Sequence, residues 1–133
     1  MKAAPKVGTV GEFTFVVGAE HVITFATDGM PAVLSTPILI GLIERTARES
    51  VAPFLEADER TVGTEIELRH LAPTPQGARV TVTTRVIRVA GKQFSFQVEA
   101  HDAHETLARG VHQRAVIRTG SFASRVAGKS GRC

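Results

Sequence analysis

Four residues of this chain pair reactive or permissive chemistry with informative spacing: Thr36, Glu44, Gly63 and His70. Glu44 interrupts an apolar helical pattern in which Leu39, Leu42, Ile43, Thr46, Ala47, Ser50 and Val51 recur at i, i+3, i+4 spacing. At about 100° per residue it falls at the edge of that stripe, near Ile40 and Val51. Two readings fit it. One is an edge carboxylate paired with Arg48 one turn on, contributing a few tenths of a kcal/mol. The other is a half-buried carboxylate facing a site. His70 ends a strand-like run just before a Pro/Gly loop, as a surface histidine or as a proton shuttle near neutral pH. Gly63, seven residues earlier on that run, marks a bulge or a close approach of backbone or ligand. Thr36 falls at a helix N-cap, where its hydroxyl accepts from first-turn amides.

The elements that must position these residues can be read from periodicity. The spacing predicts one long helix over Ser35–Phe54, with Thr36 as cap and Pro37 at the first helical position. Pro53 is expected to end it by disfavouring helical geometry at Ala52. Before the helix, Val7–Val17 alternates as a strand, with Phe13, Phe15 and Val17 on one side, and His21–Phe25 reads as a second short strand. Ala26–Ser35, with Asp28-Gly29 and Pro31, reads as a loop leading into the cap.

After the helix, four long strands are expected: Arg60–Leu71, Val80–Val89, Gln93–Ala100 and Thr106–Arg118. Val80, Val82, Thr84 and Val86 share one face, and Phe94, Phe96, Val98 and Ala100 share another. An antiparallel meander must bury one face, and one helix is the only element available to cover it. The expectation is an α+β hotdog fold, a curled antiparallel sheet wrapped around one long central helix. It occupies residues 1–120. Residues 121–133 form a basic C-terminal tail expected to lack regular structure. Edge strands rich in Val and Ile need a partner, which points to a dimer.

The 133 residues suit one domain with a real core, and no apolar run reaches the roughly 18 residues of a membrane span. The N-terminus carries no apolar run of signal-peptide length. The single cysteine, Cys133, allows no intramolecular disulfide, which fits a reducing, cytoplasmic setting. The net charge of +3 admits polyanions as partners. The absence of Trp and Tyr argues against a single-strand-binding surface built on stacking. His101 and His104 complete no metal-ligand spacing, so no metal site is read.

Thr36, Pro37, Gly41-Leu42, Glu44, Ala52-Pro53, Leu55-Glu56, Gly63-Thr64, His70, Thr74-Pro75 and Gly77 stand in the order and spacing of the fluoroacetyl-CoA thioesterase family. Ser95, Ala100-His101-Asp102, Gly110, His112 and Arg114-Ala115-Val116-Ile117 continue the pattern. The chain resembles that family over nearly its whole length before the tail. The resemblance implies hydrolysis of a small acyl-CoA to free acid and CoA, with CoA entering as part of the substrate and no separate cofactor. It implies catalytic roles for Thr36, Glu44 and His70. It also implies substrate contact by the Gly63 amide and by Arg114, and assembly as a dimer or dimer of dimers without nucleic acid or membrane. The loop before Thr36 is shorter than in the fluoroacetyl-specific enzyme and lacks its phenylalanine-bearing lid, with Phe25 the only aromatic nearby. A general short-chain acyl group is therefore expected. The competing functions are a non-catalytic acyl-CoA-binding or sensing module and a hotdog dehydratase. The Thr36/Glu44 spacing favours the thioesterase.

Overall fold

The structure, a computed structural model, describes residues 1–131. The sequence reading of Cys133 lies outside the described residues. Strand β1 (Val10–Val16) is followed by helix α1 (Thr36–Val51), strands β2 (Glu59–His70), β3 (Arg79–Ala90), β4 (Gln93–His101) and β5 (Thr106–Arg118), and helix α2 (Thr119–Lys129). The five strands make one antiparallel sheet in the order β1-β3-β4-β5-β2. Helix α1 lies across its inner face, and the core is formed between them.

The inner face follows the expected alternation. Val80, Val82, Thr84 and Val86 of β3 and Phe94, Phe96, Val98 and Ala100 of β4 are all buried. Opposite them α1 buries Leu39, Ile43, Thr46, Ala47 and Val51. The polar members of this stripe bond back to their own helix, Thr46 Oγ1 to the Leu42 carbonyl and Ser50 Oγ to that of Ala47, each at 2.7 Å. Gly11 lets the helix settle closely on β1. A Cβ there would stand 2.8 Å from Ser50 Cβ and 3.0 Å from the Thr46 carbonyl oxygen.

Several expectations are corrected. The long strands do not form a simple four-strand meander. Only β3, β4 and β5 do, while β2 pairs with β5 and β1 pairs with β3. The Pro/Gly loop after His70 therefore crosses the sheet from the edge strand β2 to β3, which lies next to the opposite edge strand β1. Residues 21–25 are not a strand. A 3-10 turn, Ala19–His21, leads to a single bridge between Val22 and Leu34. His21 is occupied structurally, its Nδ1 accepting from the Gly18 amide at 2.8 Å and its ring meeting Phe15 edge-on. Ala52 keeps helical dihedrals despite the following proline, because Ala52–Phe54 continues α1 as a 3-10 turn. The tail leaves β5 as the exposed helix α2, whose Phe122 and Val126 stand one turn apart. Among the described residues no helix is long and apolar enough to cross a membrane.

The Gly11 contact yields a test. Gly11→Ala should cost about 1–3 kcal/mol through overpacking at the helix–sheet contact. Urea denaturation would show this as a lower midpoint at unchanged slope.

Candidate active site

Strand β2 carries Gly63 and His70 seven residues apart, which in a regular strand puts their side chains on opposite faces. A bulge removes the conflict. The pairing with β5 runs Gly63 to Arg114 and then Glu65 to Gln113, leaving Thr64 as the extra residue. Before it the odd positions Glu59 and Thr61 are buried. After it the even positions Ile66, Leu68 and His70 turn inward. Gly63 and His70 therefore both face α1.

At the N-terminus of α1 the cap is Ser35, not Thr36. Its side chain accepts from the Ile38 amide at 3.4 Å. Pro37 then sits one position later than expected, still within the first turn, whose amides have no intrahelical acceptor. This one-residue shift frees the Thr36 hydroxyl, which lies 2.7 Å from His70 Nδ1. Burial holds His70 below the usual imidazole range, partly offset by the Ala72 backbone. Either the Thr36 hydroxyl donates to Nδ1 or a protonated Nδ1 donates to the hydroxyl oxygen, according to the tautomer of the neutral ring. Nε2 is buried with no hydrogen-bond partner among the described residues.

Two turns along α1, the Glu44 carboxylate lies over Gly63. A Cβ at that glycine would come within 2.5 Å of Glu44 Oε2. The cation facing Glu44 is Arg114, with Nη1 at 3.8 Å from Oε2; among the described residues no ion pair joins Glu44 to Arg48. The carboxylate is 40% exposed and the guanidinium 5%. Arg114 is anchored by Nε donating to Thr61 Oγ1 at 2.9 Å and Nη2 donating to the Thr61 carbonyl at 2.7 Å. Burial lowers its pKa, the Glu44 charge opposes that, and Arg48 adds repulsion. A guanidinium nonetheless stays protonated in a protein.

Behind Arg114 stands His112, 1% exposed and stacked on Phe96. Sequence reasoning gave it no site role, although it stands in the family pattern two residues before Arg114. Its Nε2 is 3.3 Å from Arg114 Nη1, which can only donate, so Nε2 accepts. Nδ1 then carries the hydrogen and donates to the Glu65 carbonyl at 2.7 Å. Burial holds His112 below the usual range. The Glu65 bond opposes this, Arg114 reinforces it, and Glu44 opposes it weakly.

Two reactive groups result: a hydroxyl–imidazole pair beside the helix N-terminus, and a carboxylate beside a buried cation and an open backbone position. Within one chain they are about 12 Å apart along the helix and about 23 Å apart along β2. Each opens to its own cleft. One is lined by Thr36, His70 and apolar side chains. The other is lined by Glu44, Gly63, Arg114, Arg45 and Arg48. This is acid–base and nucleophilic equipment with electrostatic support, suited to attack on an activated carbonyl.

Residues 17–120 match the family model described as fluoroacetyl-CoA-specific thioesterase. The chain is 39% identical over 100 residues to the fluoroacetyl-CoA thioesterase of Streptantibioticus cattleyicolor, covering 75% of this chain and 72% of that protein. A variant of the fluoroacetyl-CoA-specific thioesterase solved with fluoroacetate and CoA is similar at a TM-score of 0.81 and 34% identity, covering 89% of this chain and 99% of that one. A hot-dog-like protein from Thermanaerovibrio acidaminovorans is similar at a TM-score of 0.88 and 28% identity, covering 96% and 94%.

The half-buried His70 and the buried His112 predict a pH dependence of stability. Their folded-state pKa values lie below the ordinary 6.5, so at mildly acid pH the unfolded chain binds more protons. Stability should fall as pH drops through that value and level off below the folded-state values. Urea midpoints measured from neutral to mildly acid pH should show this slope, and His112→Gln should reduce it.

Proposed function

The chain belongs to the fluoroacetyl-CoA-specific thioesterase family, and from that premise we propose that it hydrolyses a small acyl-CoA thioester to the free acid and CoA at Glu44, Thr36 and His70. The observation that carries these roles is the placement of the Glu44 carboxylate over Gly63 and beside Arg114. That is where an electrophilic carbonyl can meet a base, a cation and an unobstructed backbone. Glu44 has two ways to act. It can take a proton from water as the water adds to the carbonyl. It can also add directly, forming a mixed anhydride that water then opens to regenerate the carboxylate. In both routes the C–S bond breaks and the sulfur leaves as thiolate, a moderate leaving group that needs little acid assistance. The Thr36–His70 pair supplies or orients the proton for that sulfur. The amides of the first turn of α1 add positive potential where negative charge develops. Water is the only second reactant. The reading places the enzyme in the cytoplasm, where acyl-CoAs are made and consumed.

The separation of the two groups within one chain supports a homodimer with shared sites. Strand β2 is an edge of the sheet and offers a row of unpaired backbone groups twelve residues long. Antiparallel pairing of β2 with a second copy, about a two-fold axis between Ile66 and Glu67, sets His70 opposite Gly63 of the partner subunit. Thr36 bonds to His70 and Glu44 lies over Gly63, so this pairing brings the hydroxyl–imidazole pair of one protomer to Glu44 of the partner subunit.

Thiol release from a panel of acyl-CoAs tests the reaction. Glu44→Ala and His70→Ala should each lower kcat by about 100-fold or more, and Gly63→Ala should impair turnover by displacing the Glu44 carboxylate. Unchanged rates would remove these residues from the chemistry, while tight acyl-CoA binding without turnover would indicate a sensing module. A second experiment tests the shared site. Dissociated Glu44→Ala and His70→Ala proteins, mixed and reassociated, should regain activity that neither has alone. Persistent inactivity of the mixture would place each complete site within one chain.

A further inference from the structure

The Thr36–His70 pair opens on a cleft of about 320 Å³ whose remaining lining is apolar. Leu34 and Ala72 form its buried back. Phe25, Met30 and Leu71 stand at its mouth, 62%, 44% and 53% exposed. Apart from His70, held neutral by burial, no lining side chain is ionisable. The Glu44 cleft differs sharply, with a carboxylate and three arginines in its walls.

The walls of the apolar cleft are held by backbone bonds. Ile23 N donates to the Val33 carbonyl at 2.9 Å, and Leu34 N donates to the Thr74 carbonyl at 2.8 Å. The loop tip turns at Asp28 and Gly29, both with positive φ, and closes with Met30 N donating to the Thr27 carbonyl at 3.0 Å. The cleft is therefore built into the fold.

A two-carbon acyl group beside Thr36 and His70 would leave most of these apolar walls in water. A longer hydrocarbon chain would cover them. A terminal carboxylate would be desolvated there without a cationic partner. We propose that this cleft is the acyl chamber and that it selects uncharged, apolar acyl groups from butyryl to hexanoyl in size over acetyl and over dicarboxylic acyl groups. This inference rests on the thioesterase reading and names its substrate class.

The test is kcat/KM for acetyl-, butyryl-, isovaleryl-, hexanoyl- and succinyl-CoA, measured on the wild type and on Val33→Phe and Leu71→Trp. Leu71 is exposed, so its variant is expected to fold even if the Val33 variant does not. For the wild type, kcat/KM should rise about four-fold per added methylene, with succinyl-CoA well below butyryl-CoA. Either variant should cut the hexanoyl-to-acetyl ratio by about ten-fold or more. A flat or falling chain-length series overturns the proposal. So does an equal loss on every acyl-CoA in the variants, which would assign the cleft to the pantetheine arm. Absence of thiol release from every acyl-CoA would instead overturn the thioesterase reading and this inference with it.

Discussion

The site depends on one extra residue in a strand. Side chains alternate with a period of two, so positions seven apart face opposite ways unless the register slips between them. The bulge at Thr64 provides that slip. It turns Thr61 and Gly63 toward α1 on one side and Ile66, Leu68 and His70 toward it on the other. Without it, either the histidine or the open backbone position would face away from the helix that carries Thr36 and Glu44.

The buried cation is the second constraint. Arg114 pairs in register with Gly63, and its side chain fills the inner face where that glycine has none. Removing a guanidinium from water is costly unless its donors are used. Thr61 takes two of them, His112 takes a third, and Glu44 provides the opposing charge. The result is a fixed positive charge below a half-exposed carboxylate. Such preorganised charge is what a reaction that develops negative charge requires. It also explains why a neutral histidine sits behind the arginine, where a protonated ring would place two cations in contact.

Helix α1 does two jobs with two faces. Its apolar stripe covers the sheet, while its N-terminus and the edge of the stripe carry the reactive groups. The chain enters it from β1 and leaves it to β2, the two outer strands of the sheet. The helix touches both, with Thr36 at His70 and Glu44 over Gly63 on β2 and Ser50 against Gly11 on β1, and its N-terminal and middle turns reach different clefts. The apolar cleft at the N-terminus and the charged cleft two turns on differ in the chemistry they can hold.

Most of the fold was legible in the sequence because burial imposes periodicity. The four long strands and the helix stripe were located within a residue or two, and the inner-face residues of β3 and β4 were all correctly grouped. The family pattern identified Thr36, Glu44, Gly63, His70 and Arg114 as candidates. Periodicity reports which face a residue occupies but not which strand it pairs with. The β2–β5 pairing and the crossing from β2 to β3 after His70 therefore emerged only in three dimensions. The cap shift from Thr36 to Ser35 was invisible because both are good caps and one residue separates them, yet it frees the hydroxyl for His70. Glu44 kept two readings in sequence because Arg48 is local and Arg114 is seventy residues away. Local pairing rules see only the first, and the tertiary structure chose the second because β5 brings a desolvated guanidinium under the helix edge.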